Sequence, residues 1–183
     1  VEEIWEENYS LSHRPGMLRL YTKKEKISDR NHCSYFGIRQ KNYAFYAETG
    51  MEFEPKQECE TAGMVLYQNH ENHLRMEIRK RAEENCFVVT ACIHGKEKIL
   101  TEKPAGEGRQ FFKIRMHCDR QKARIWLFRD GSERLIAENI SLLPYTTEEA
   151  GGFVGCTIGM YASANGQDSS NYADFAWFVQ NAI

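Results

Sequence analysis

The residues with most chemical potential sit in ETAGMVLYQNHENHLRMEI, residues 60–78, where His70, Glu71 and His73 lie between two apolar runs. Imidazoles are the commonest metal ligands. However, His70-x-x-His73 lacks the i, i+4 spacing of a helical HExxH zinc motif, and the segment does not read as a helix. A hairpin loop rich in Asn and His is the plainer reading, with the histidines as turn and strand-edge residues. Paired carboxylates are the second candidate. A β-sandwich glycosidase needs two carboxylates roughly 5 to 9 Å apart across the scissile bond. On one strand face that means Glu-x-Glu, which Glu52 with Glu54 and Glu58 with Glu60 supply. Nothing near either pair marks one carboxyl as desolvated, so both pairs are expected to be solvated charge. No GxSxG, phosphate loop or dinucleotide fingerprint occurs. The residues on their own describe a scaffold without a self-contained active site.

The elements that would position these groups are strands. Period-two alternation is frequent and helical periodicity is nearly absent. LRMEIR (74–79) puts Leu74, Met76 and Ile78 on one face, and FFKIRMHC (111–118) does the same with Phe112, Ile114 and Met116. NYAFYAETGMEFEP (42–55) alternates and stops at Pro55. Asp130-Gly131 divides residues 123–140 into a hairpin. CFVVTACI (86–93) is continuously apolar, as expected of a strand buried on both faces. FVGCTIGMYAS (153–163) and ADFAWFVQ (173–180) complete the set, and SLLPYTTEEAGG (141–152) is the one place for a short helical turn. About ten to twelve short strands at hairpin spacing imply an all-β sandwich or barrel. Trp126 and Phe128, opposite Ile125 and Leu127, are either a sugar-binding platform or a second buried layer.

Composition narrows the partners. The 183 residues suit one domain, able to bury roughly 70% of its unfolded surface. Lys+Arg 24 against Asp+Glu 26 leaves a net charge of -2. That balance argues against nucleic acid or an anionic membrane as the main partner. No run of about 18 apolar residues exists, and no signal peptide is visible. The chain opens at Val1 without a Met and is expected to be an excised or processed piece. Cys33, Cys59, Cys86, Cys92, Cys118 and Cys156 form no CxxC pair and several lie in apolar runs. They read as buried free thiols of a reducing cytoplasm, with three disulfides of a secreted domain as the alternative.

Motifs spread along the chain then converge on one resemblance. HRPGMLRLY (13–21), FGIRQ (36–40), ETAGMVLYQNHENHLRMEI (60–78) and GGFVGCTIGMYAS with ADFAWF (151–178) occur in order at suitable spacing. Together they resemble the C-terminal β-sandwich domain of glycoside hydrolase family 43 β-xylosidases and α-L-arabinofuranosidases. The resemblance covers nearly the whole chain. It implies an antiparallel, two-sheet, concanavalin A-like jelly roll over residues 1–183, lacking the family's usual first strand and the five-bladed propeller that precedes it. The family's catalytic carboxylates belong to that propeller, so no catalytic residue carries over.

What the resemblance implies is an accessory role: packing on the catalytic propeller and shaping a pocket for xylo- or arabino-oligosaccharides. An independent carbohydrate-binding module is the alternative. In the family, an aromatic residue from a sandwich loop closes part of the pocket, and the matching position is Phe153; its other reading is a strand-entry residue packed in the core. Sugar C–H faces stack on such rings, and a lid residue favours short substrates. The resemblance also implies a structural calcium held by Asp174, with Glu25 as a weaker partner. Asp174 is otherwise an edge-strand carboxylate bonded to a turn. A lost partner domain would leave an apolar patch exposed near Phe153.

Overall fold

The computed structural model describes residues 6–152 and 155–183. Among them run β1 (Tyr9–Ser10), β2 (Leu18–Tyr21), β3 (Ser34–Arg39), β4 (Ala44–Phe53), β5 (Thr61–Asn69), β6 (Asn72–Arg81) and β7 (Glu84–Ile93). There follow β8 (Lys96–Pro104), β9 (Gln110–Asp119), β10 (Lys122–Arg129), β11 (Ser132–Ser141), β12 (Thr157–Ser163) and β13 (Tyr172–Ala182). A 3-10 turn (Leu143–Tyr145) and a one-turn helix, α1 (Thr147–Ala150), occupy the segment where a helical turn was expected.

The strands form two antiparallel sheets, ordered β1-β2-β13-β4-β9-β10-β11 and β3-β12-β5-β6-β7-β8. This is the expected two-sheet β-sandwich. The alternation read from the sequence is what builds it. Phe45, Ala47, Met51 and Phe53 of β4 and Phe112, Ile114 and Met116 of β9 are fully buried. They meet Met64, Leu66, Leu74, Met76 and Phe87 of the other sheet in one core cluster. Each large side chain buried there stabilises the fold by roughly 1.5–3 kcal/mol. In β7 the residues alternating with Phe87, Val89 and Ala91, namely Cys86, Val88, Thr90 and Cys92, are buried as well. Both faces of that strand are covered, which is why its sequence reads as one apolar run.

Turn chemistry fixes the register. Asp130 and Gly131 have φ of 49° and 74° and join Arg129 to its partner Ser132. Positive φ at both central residues makes a type I′ turn, whose twist matches that of the flanking strands. At the β5–β6 turn, Asn69 pairs with Asn72, and the Asn69 side-chain oxygen accepts from Glu71 N–H at 3.0 Å and Asn72 Nδ2 at 3.1 Å.

Four expectations change. Trp126 and Phe128 are not a second buried layer; they lie half-buried on the outer face of the seven-stranded sheet, because the core-facing positions of β10 are taken by Ile125 and Leu127. Glu60 is buried rather than solvated. Its carboxylate accepts from Lys56 and Gln57 N–H, Ser169 Oγ and Asn171 Nδ2, which replace water. His73 is not at a strand edge: β6 is flanked by β5 and β7, and the residue is fully buried. None of the six cysteines is in a disulfide and four are buried, but Cys33 and Cys59 are half-exposed.

Candidate functional site

The end of the sandwich that carries residues 141–156 is anchored by β5 and by a thiol. Asn69 Nδ2 donates to the Ala150 carbonyl at 3.3 Å and Gln68 Nε2 to that of Gly151 at 3.5 Å. Cys156 Sγ donates to the Tyr145 carbonyl at 3.0 Å. Gly151 and Gly152 then run at φ of 73° and 93°, a region that residues with a Cβ rarely adopt. Phe153 lies outside the described residues, between this glycine pair and Gly155. A cleft of about 910 Å³ is bordered by Tyr43, Arg120, Leu143, Glu148, Glu149 and Gly155. Tyr43 is 85% exposed and Leu143 44% exposed. The Glu148 carboxyl is held below its ordinary range by its own backbone N–H and the Thr146 hydroxyl. It therefore stays ionised at neutral pH and is unsuited to act as a general acid. The cleft can hydrogen-bond and stack a polyhydroxylated ligand, but among the described residues it shows no acid–base pair. Nothing in the sequence set Tyr43 apart; only its exposed position on the cleft does.

Asp174 sits at the centre of an arginine cluster. Register places it opposite Arg19 of β2 and Glu52 of β4. Its Oδ1 accepts from Arg19 Nε at 2.8 Å; its Oδ2 accepts from Arg19 Nη2 at 3.0 Å, Arg14 Nη1 at 3.1 Å and Arg109 Nη2 at 3.0 Å. Glu52 takes a forked pair from Arg14, at 2.7 and 2.8 Å. Arg19 and Arg109 also stack on the Tyr172 ring, at 3.6 and 4.7 Å from its centroid. Burial opposes ionisation of Asp174, but the bonds from Arg19 and Arg14 outweigh it and hold its carboxyl below the ordinary range. Glu52 is lowered likewise, chiefly by Arg14.

This donor set does not fit calcium. A calcium ion needs six to eight oxygens free to face it, whereas both oxygens of Asp174 are engaged by three guanidiniums whose charge repels a cation. Glu25 is not brought to it. It lines a separate open pocket with Glu7, Lys23, Lys24 and Asp168, and its carbonyl accepts from Ser163 Oγ.

The outer face of the seven-stranded sheet carries rings and charges together. Phe111 and Trp177 are 40% and 38% exposed, with centroids 5.5 Å apart. Lys113 and Arg115 cover the Phe128 ring at 3.8 and 4.8 Å, and Arg124 lies over Trp126 at 5.5 Å. The pair marked in the sequence as a platform is thus capped by cations, while the more open pair is Phe111 with Trp177.

The model of the beta xylosidase C-terminal concanavalin A-like domain matches residues 2–180. A "Xylosidase/arabinosidase" of Butyrivibrio fibrisolvens is 43% identical over 183 residues, all of this chain and 35% of the relative. A "Non-reducing end alpha-L-arabinofuranosidase BoGH43B" of Bacteroides ovatus is 30% identical over 172 residues, 93% of this chain and 32% of the relative. The chain thus spans about a third of the length of these curated relatives. Among solved structures, "Bacteroides ovatus Xyloglucan PUL GH43B" superposes with a TM-score of 0.93 at 27% identity, over 100% of this chain and 36% of that one. The carbohydrate-binding module CBM66 from Bacillus subtilis shares the fold alone, with a TM-score of 0.58 at 9% identity over 92% of this chain and 89% of that one. The sandwich, its motifs and a match running almost from end to end agree: the chain belongs to the beta-xylosidase C-terminal concanavalin A-like domain family.

Proposed function

We propose that this chain is the non-catalytic accessory domain of a larger family 43 glycosidase acting on xylose- or arabinose-containing oligosaccharides. It packs on a catalytic propeller and edges that enzyme's substrate pocket with the loop at Phe153. The observation that carries this reading is the family match over residues 2–180 combined with coverage of only about a third of the Butyrivibrio and Bacteroides relatives. The chemistry agrees, since the cleft bordered by Gly155 offers hydrogen bonds and an exposed ring but, among the described residues, no acid–base pair. Six cysteines outside any disulfide support a reducing, cytoplasmic setting.

A chimera tests the reading. The matching third of the Butyrivibrio xylosidase/arabinosidase is replaced by this chain, and hydrolysis of a xylobiose-like substrate is measured. An active, soluble chimera is expected, with Phe153→Ala raising KM several-fold. A chimera that folds but is inactive would remove the packing role, and unchanged kinetics in the variant would remove the lid.

A further inference from the structure

The outer face of the six-stranded sheet carries a row of ligating side chains that the accessory role does not use. Register sets His73 of β6 opposite Cys92 of β7, and Cys92 opposite Glu97 of β8. One ligand atom from each of the three lies within 4.8 Å of the other two. His73 is fully buried and its ring stacks on Tyr67. Its Nδ1 lies 3.4 Å from the Asn69 carbonyl, while Nε2 is buried with no hydrogen-bond partner. The tautomer in which Nδ1–H donates to Asn69 leaves a free lone pair on Nε2, a second-shell arrangement typical of ligating histidines. A buried polar atom without a partner is costly, which calls for something to satisfy it.

The guanidinium beside the cluster, Arg75, has Glu97 and Glu77 as counter-charges. Cys92 is 1% exposed and its thiol donates to the Glu71 carbonyl at 3.3 Å. That carbonyl also accepts from Gly95 N–H at 2.9 Å, so it keeps a partner if the thiol proton leaves. The Glu97 side chain is 47% exposed and bonded to Arg75 Nη2 at 2.8 Å, an orienting contact that leaves solvent a way in. A thiolate and a carboxylate together balance a divalent charge.

We propose that His73, Cys92 and Glu97 form a three-ligand site for a divalent, borderline-soft transition ion of the zinc type, clamping three neighbouring strands and leaving a fourth position for water. Nitrogen, sulfur and oxygen donors select such an ion over calcium or magnesium, which take oxygen alone. Binding forms a metal–sulfur bond and releases the Cys92 proton to solvent. Side-chain rotation must shorten the cluster, because zinc bonds run about 2.0–2.3 Å.

Cobalt(II) titration of the reduced, chelator-treated chain tests this. One equivalent should produce a near-ultraviolet sulfur-to-cobalt charge-transfer band and the strong visible absorption of a four-coordinate ion. The charge-transfer band should vanish in Cys92→Ser. Glu97→Gln, whose amide oxygen can still accept from Arg75 Nη2, should weaken binding about tenfold or more and diminish the rise in Tm that zinc gives the wild type. No band in the wild type would overturn the proposal. So would a band that persists in Cys92→Ser, or a zinc-induced rise in Tm equal in wild type and Glu97→Gln.

Discussion

At the scale of single residues, Asp174 shows how environment decides the use of a carboxylate. Its position invited an oxygen-ligand reading, but what surrounds it is three guanidiniums. Arg14 and Arg19 both lie in HRPGMLRLY, but Arg109 arrives from the residue before β9, and no local pattern announces that the three meet. Removing the carboxylate charge leaves partly buried cations uncompensated. Asp174→Asn is therefore expected to cost roughly 3 kcal/mol, the low end for a broken buried pair because Arg14 and Arg109 keep contact with water. Urea unfolding at neutral pH measures it. Acid should act on the same cluster. Asp174 and Glu52 both have folded pKa values below the ordinary carboxylate range. Their stabilisation is complete above that range and is lost as pH falls through the folded values. The wild type should lose stability from about pH 4 downward, more steeply than Asp174→Asn. Calcium at millimolar concentration should leave Tm unchanged, since a ligand stabilises only a state that binds it; a clear rise would show that a site exists elsewhere.

At the scale of elements, pleat and turn were readable and surface coverage was not. Alternation in β4 and β9, the continuous run of β7, the Asn69–Asn72 turn and the Asp130-Gly131 hairpin all follow from side-chain period and φ preference. Alternation says which residues share a face; it does not say what lies over that face. That is why Trp126 and Phe128 were ambiguous, and why His73 and Glu60 looked exposed when neighbouring side chains and loops bury them. The outer surface of β4 gives a test. A Cβ on Gly50 would collide with Trp177 Cη2, so the indole lies across the glycine. Gly50→Ala should lift the ring away from β4 and from Phe111. A loss of about 1 kcal/mol is expected, the low end for overpacking because the ring is partly free to move, with a red shift in tryptophan emission. Unchanged emission and stability would mean that the indole does not rest there.

At the scale of the whole molecule, the accessory and binding-module readings divide on what the isolated chain does with sugar. A binding module needs a bare aromatic surface before ligand arrives, because stacking a sugar on a ring already covered by a cation first requires that cation to leave. Phe128 and Trp126 are covered in this way. Phe111 and Trp177 are more open, but their planes are tilted by 38° to each other, and a flat two-ring platform is not formed. The cleft beside Gly155 is shaped by one sandwich end only, with Tyr43 projecting into solvent. Such a half-site completes a pocket when a second body closes over it. Calorimetric titration of the isolated chain with xylo- and arabino-oligosaccharides should therefore give no binding at millimolar concentration. Binding abolished by Trp177→Ala would transfer the function to the outer sheet face and favour the module. Binding abolished instead by Tyr43→Ala would mean that the cleft recognises sugar without a partner, and the accessory domain would then bring its own affinity to the enzyme it joins.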